Sequence, residues 1–286
     1  MTKKPSTLGV TMNDNNPLKQ YFRRPGIYLK LPSGGRGYTS DVLSLNESGE
    51  LPVYPMTAID EITTRTPDAL FNGEAVVSII KSCIPAIKNP WKITNVDLDA
   101  ILVAIRAATS GNEMDLETTC PKCNETSKYG INLVGLLSKF SPGDYEKEMQ
   151  VGDLSIKFRP LTLKEVNAGN TVQFEMQRLM LRIQDIEDEN KQLEESSKAI
   201  QKMNDLGMQV VCDSIEQIRT PETVVTEKEF ILEFLENCNK NTFESIRQTT
   251  VDLRLGTETK PFDVVCINCN AEYEQPFTLN VSDFFE

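Results

Sequence analysis

Cys120 and Cys123 in TTCPKCNETSKYGINL, and Cys266 and Cys269 in CINCNAEYEQPFTL, are the residues best placed to do chemistry. A Cys-x-x-Cys turn brings two thiols together for one of two tasks: holding a soft metal ion as thiolates, or cycling between dithiol and disulfide. Neither pair opens a helix after a strand, as a thioredoxin-like dithiol does. In both segments Asn follows the second cysteine (Asn124, Asn270), and a leucine lies thirteen residues after the first (Leu133, Leu279). Each reads as a strand, a tight thiol-bearing turn and a second strand. Two such knuckles face to face make a tetrahedral four-thiolate site suited to one Zn²⁺ per chain, with no open coordination position and therefore a structural role. The separation is unusual: roughly 140 residues lie between the pairs, against about 15–20 in a compact ribbon. Separate redox dithiols, core cysteines and a site shared with another subunit are the alternatives.

The chain has 286 residues, 42 acidic and 30 basic side chains, a net charge of −12 and no histidine. Without histidine, no Ser-His-Asp or Cys-His nucleophile and no His metal ligand is possible. No carboxylate pair stands out for acid–base work, so the expectation is a protein that is not an enzyme. The acidic balance argues against nucleic-acid binding, which needs clustered Lys and Arg. No apolar run is long enough to span a bilayer. The first residues lack the apolar core of a signal peptide. Together these readings point to a reducing cytoplasm, where seven cysteines serve a metal or a core rather than disulfides. PSGGRGYTS reads as a hairpin turn rather than a phosphate cradle, because no helix follows at once.

The elements that must position the cysteines read as mixed α+β. Residues 1–24 form an extended arm. Its end carries Tyr21, Phe22, Arg23 and Arg24, which either pack on the chain's own body or dock a partner. IYLKLPS, YTSDVLSL and ELPVYPM form a three-strand meander. Thr57 caps a first helix; Ala75, Val76, Ile79, Ile80 and Cys83 line a second. Asp97 caps a third that runs to Gly111, with Leu98, Ile101, Leu102 and Ile105 buried. KEMQVGDLSIKFRPL is a hairpin turning at Gly152-Asp153.

A long helical region starts at Thr162. Val172, Met176, Leu179, Ile183, Ile186, Asn190, Leu193, Ser197 and Ile200 follow a heptad stripe. Gly207 is expected to end this arm, and GMQVVCDSIEQIRT to return as a helix, giving a coiled-coil hairpin within the chain. Pairing between chains is the other reading. EKEFILEFLENC and NTFESIRQTTVDLRL follow as helices, with Cys212 and Cys238 in the core. The organisation is thus an arm (1–24), an α+β body with the first knuckle (25–160), a helical insertion (161–256) and a second knuckle completing the body (257–286). The split four-cysteine unit is zinc-ribbon-like.

NPLKQYFRRPGIYLKLPSGG, PMTAIDEITTRTPDALFNGEA, VDLDAILVAIRAATSG and the TCPKC after them resemble the base plate proteins of T4-type contractile-tailed phages, a family that includes hub assembly factors. The resemblance covers roughly residues 16–170 and resumes at the terminal Cys-x-x-Cys and Phe284-Phe285; it is weak in the helical insert. It implies a non-enzymatic viral protein that helps build, or forms part of, the central hub of the baseplate. Its partners would be other baseplate or hub proteins, met in the host cytoplasm during assembly or kept in the virion tail. Tyr21, Phe22, Arg23 and Arg24 in the arm, with Phe284 and Phe285, are the partner contacts expected from the residues themselves. The terminal pair reads equally well as core.

Overall fold

Ile27-Tyr28-Leu29-Lys30 alternates inward and outward side chains, the pattern of a half-buried strand. In the computed structural model, which describes residues 16–64, 73–184, 186 and 188–277, this is β1 (Ile27–Lys30). It pairs antiparallel with β2 (Glu50–Val53), setting Leu29 opposite Leu51. The expected middle strand of the meander does not form. Val42 and Leu43 are adjacent and both buried, which an alternating strand does not allow. The Thr39 carbonyl instead accepts from both of their N–H groups, and the segment joins residues 86–89 through a bridge of Leu43 to Ile87, with the Ser44 N–H donating to the Ala86 carbonyl and the Lys88 N–H to the Val42 carbonyl.

Helix α1 (Ala58–Thr64) packs against α2 (Glu74–Cys83), and α2 and α3 (Asn95–Ser110) bury their apolar side chains with the ribbon. Thr57 caps α1 as expected: its hydroxyl accepts from the Asp60 N–H while the Asp60 carboxylate accepts from the Thr57 N–H. α3 is the centre of the first core. Val96, Ala100, Ile101, Leu102, Val103, Ala104 and Ile105 are all buried, so the helix is apolar nearly all round. Thr94, not Asp97, stands at its N-cap position. Asp97 lies one turn inside, fully buried, and accepts from the Ser33 N–H (2.9 Å), the Ser33 hydroxyl (2.6 Å) and the Tyr38 hydroxyl (2.7 Å). Its carboxylate therefore stitches the glycine-rich loop to α3. Gly111 ends the helix with φ 94°, as the sequence implies.

A hairpin of β3 (Glu113–Thr119) and β4 (Thr126–Asn132) leads into the short helix α4 (Leu133–Leu137). The next hairpin, β5 (Met149–Val151) and β6 (Leu154–Phe158), turns at Gly152, where φ is 59°. Two long helices follow, α5 (Leu163–Gln184) and α6 (Glu189–Ser214), packed antiparallel through Met176, Ile183 and Ala199. The hairpin within the chain is present, but its turn falls between Gln184 and Glu189, and Gly207 lies inside α6. Asp188 is the reason: its carboxylate accepts from the Asn190 and Lys191 N–H groups and starts a new helix. The reversal takes the later heptad positions off the seam, and Leu193 and Ile200 are exposed.

The expected return helix also ends early. After Ser214 the chain becomes β7 (Ile215–Arg219), which pairs with β6 on one side and β8 (Val224–Val225) on the other, giving the sheet β5-β6-β7-β8. Ile215 and Ile218 are both buried there, β-branched side chains suited to a sheet. The Lys228 ammonium stops α6 by donating to the Cys212 and Asp213 carbonyls (2.9 and 3.3 Å). The helices α7 (Lys228–Asn237) and α8 (Lys240–Leu255) form as read and pack on the sheet. Ile156, Phe158, Val211, Cys212, Ile215, Ile218, Ile231, Leu235 and Ile246 make this second core. The β5–β6 hairpin therefore belongs with the segment after residue 161, not with the body. A last hairpin, β9 (Phe262–Val265) and β10 (Glu272–Gln275), returns to the first core through Phe262 and Phe277.

Candidate metal centre

The β3–β4 and β9–β10 hairpins carry the same loop. In each, the first cysteine's N–H donates to the carbonyl five residues on (Cys120 to Glu125, Cys266 to Ala271, both 2.9 Å). The asparagine N–H donates back to that cysteine's carbonyl (Asn124 to Cys120, Asn270 to Cys266, both 2.9 Å). Asn124 and Asn270 take φ of 57° and 55°, the left-handed conformation that asparagine tolerates better than other side-chain-bearing residues. This explains the asparagine after each Cys-x-x-Cys: it closes the turn so that both thiols leave on the same side.

The loops meet. Cys120 Sγ lies 3.7 Å from Cys269 Sγ, Cys123 Sγ lies 3.6 Å from Cys266 Sγ, and all four sulfurs fall within 4.8 Å of one another. Thiolates about 2.3 Å from a tetrahedral ion stand about 3.8 Å apart, so the observed spacing fits such an ion. Cys120 and Cys266 are buried; Cys123 and Cys269 are half-buried. The four cysteines can hold a metal ion, as their pattern in the sequence predicts.

Backbone hydrogen bonds to sulfur favour charge on one member of the set, Cys120. The backbone N–H groups of Cys123 and Lys122 bring the Cys120 thiol down to about 7, the first of these contributing most. Cys269 stands at about 11: the Ala271 N–H lowers it, but desolvation and the three neighbouring thiols outweigh that. Neighbouring sulfurs thus disfavour a second negative charge at Cys269. The Asn268 side chain on one knuckle donates to Cys123 Sγ on the other (3.8 Å). Two further cross-hairpin contacts, Tyr129 hydroxyl to the Val265 carbonyl (3.0 Å) and Thr118 to Gln275, were not foreseen. They depend on how the hairpins face, and no short motif encodes that.

The other sequence-derived residues lie elsewhere. Of the arm expected over residues 1–24, residues 1–15 lie outside the described residues; Pro17–Tyr21 form a 3-10 turn capped by Asn16, and Tyr21 and Phe22 stand exposed on it. Arg24 is exposed, whereas Arg23 turns inward. Its guanidinium donates to the Pro55 carbonyl (2.6 Å), the Ser82 carbonyl (2.7 Å) and the Ser82 hydroxyl (3.0 Å), and pairs with the buried Asp60 (3.6 Å). Arg23 is therefore an anchor between the arm and two helices. Phe284 and Phe285 lie outside the described residues. Cys83 and Cys212 are buried as read; Cys238 is half-buried at the end of α7.

A cleft of about 1000 Å³ runs between the two cores, floored by Trp91, Phe158 and Val172. Its charged rim is largely paired within the chain, as in Lys157–Glu216 (3.0 Å) and Arg159–Glu165 (2.7 Å). Among the described residues, no helix is long and apolar enough to cross a membrane.

Comparison with protein families matches residues 25–286 to the family described as T4 bacteriophage base plate protein. No curated protein and no solved structure matches the chain. The family match spans the helical segment, where the sequence resemblance is weak, and takes in both cysteine knuckles. With nearly the whole chain matched, this protein belongs to the T4 bacteriophage base plate protein family.

Proposed function

We propose that the protein works by protein–protein binding as a baseplate hub assembly protein, without catalytic chemistry of its own, and that its four cysteines hold one structural zinc. Membership of the base plate family supports the setting: other baseplate components are the partners, and the tail is the place. The observation that carries the binding role is the fixed display of Tyr21, Phe22 and Arg24. Arg23 ties their turn to Asp60 and Ser82, so two aromatic rings and a cation face solvent on an anchored support. Aromatic and arginine side chains held this way are the usual anchors of protein interfaces. Arg23 acts behind them as the support.

Zinc is the ion that the donors favour. Four thiolates suit a soft, tetrahedral ion, and a closed set offers no site for substrate. In zinc-finger peptides, structural zinc binds with a free energy on the order of 10 kcal/mol or more. That is ample to join two hairpins that share little apolar contact.

Quantitative peptide mass spectrometry of purified phage particles beside infected-cell lysate tests the role. Peptides abundant in lysate and missing from particles identify an assembly factor acting in the host cytoplasm. A small fixed copy number per particle overturns that and makes the chain a permanent baseplate subunit, the reading that the family's own description favours.

A further inference from the structure

The last hairpin is joined to the body in an unusual way. Among the described residues, β9 and β10 pair only with each other, β3 and β4 only with each other, and no backbone ladder links the two ribbons. A lone two-stranded hairpin is marginally stable in water. Within residues 261–277, only Val264 and Cys266 are buried. Phe262 and Phe277 touch the first core edge-on to each other, with ring centroids 6.0 Å apart, and both stay partly exposed.

Charge works against the contact as well. Residues 113–132 carry Glu113, Asp115, Glu117 and Glu125 against Lys122 and Lys128. Residues 262–275 carry Asp263, Glu272 and Glu274 with no Lys or Arg. Both ribbons are net negative before any thiol ionises. Like-charged ribbons with thin apolar contact and a few side-chain hydrogen bonds have one strong feature in common, the four sulfurs. A cation there neutralises both sides at once.

We infer that residues 262–277 form a metal-closed clasp. The segment seats on the body while the four cysteines hold an ion and comes away as a unit when the ion is removed, leaving both cores folded. This rests on the metal reading above and extends it: the ion controls whether residues 262–277 stay seated, not whether the two cores fold. The first core stays intact because every one of its fully buried side chains comes from residues 29–163, and the clasp adds only the partly buried Phe262 and Phe277 at its edge. The second core shares no residue with the clasp.

Hydrogen exchange by mass spectrometry on the full chain, with and without a chelator, tests the inference, with bound zinc counted in each sample. The expected result is one zinc per chain at the start. After chelation, exchange should speed at least tenfold in peptides covering 262–277, while peptides covering 74–110 and 211–246 keep their protection. The double variant Cys266→Ser/Cys269→Ser should reproduce the chelated pattern. Zinc bound at the start, but 262–277 equally protected once it is gone, overturns the clasp and leaves the metal site standing. Loss of protection throughout the chain also overturns the clasp, since the ion would then be holding the whole fold. Failure to bind zinc, cobalt or cadmium removes the metal reading itself.

Discussion

Cys120 Sγ sits 3.7 Å from Cys269 Sγ although 149 positions separate them in the chain. The contact is made by two loops of identical hydrogen-bond pattern, so neither knuckle needs the other in order to take its shape. It does need the other to complete a set of four donors. If the site is shared, the double variant Cys266→Ser/Cys269→Ser should drop bound zinc from about one per chain to near zero, although Cys120 and Cys123 remain. Metal analysis of the purified variant checks this. Zinc that survives undiminished would mean that the pairs bind separately.

Arg23 and Arg24 are neighbours with opposite fates, and substituting each separates anchoring from display. Arg23→Ala removes three hydrogen bonds and leaves the buried Asp60 without its cation. A loss of about 2 kcal/mol in unfolding free energy by urea titration is expected. Arg24→Ala should leave the urea midpoint where it is and weaken capture of baseplate components. If both variants behave alike, the division between support and contact is wrong.

Gly207 offers a test of where the helical hairpin turns. It lies inside α6, and a Cβ added there meets nothing within 4 Å. Gly207→Ala should therefore raise stability by roughly 0.5–1 kcal/mol, the usual gain of alanine over glycine within a helix. Had Gly207 ended the helix in a left-handed conformation, the same change would destabilise. The thermal midpoint of the two proteins decides between them.

Asp99 sets a pH dependence. Burial, with the Glu258 charge adding to it, pushes its carboxyl up to about 6 from an ordinary value near 4. Between those values the folded chain holds a proton that the unfolded chain has lost. The contribution of Asp99 is therefore fully present below about pH 4 and is lost as pH rises through about 6. Asp99→Asn should flatten this part of the stability curve and raise the midpoint at pH 7 to 8. Chemical denaturation at pH 4.5 and pH 7.5 on both proteins reads the difference; equal slopes for both would remove Asp99 from the account.

What the sequence disclosed and what it hid follow from the range of the interactions involved. The knuckles were legible because each is a six-residue local device, with its asparagine in place. Thr57 and Gly111 were legible for the same reason, being caps that act within one turn of their helices. Asp97 misled because an acid near a helix start reads as a cap, whereas its partners Ser33 and Tyr38 lie about sixty residues away. The hairpin turn was hidden by a heptad stripe that runs on in register past Asp188, so periodicity alone gave no break. Ile215–Arg219 passed for helix because the partner that makes it a strand is β6, far back in the chain. Tyr21 and Phe22 are exposed as a binding arm would have them, but nothing in RR distinguishes the arginine that turns inward.

The identical loops have a consequence for how the protein is made. The first knuckle leaves the ribosome with two of its four donors and waits until Cys266 and Cys269 are synthesised. At about 5–20 residues per second that delay is on the order of ten seconds. During it both helices of the hairpin, the four-stranded sheet and α7 and α8 emerge, and their folding draws the two ends of the segment together. Coordination by all four thiolates is then open only to a chain that has been translated past Cys269 and has folded the segment between the knuckles. A chain stopped before Cys266 keeps an open half-site. Closure of the site thus reports, by coordination chemistry, that the intervening segment has been made and folded.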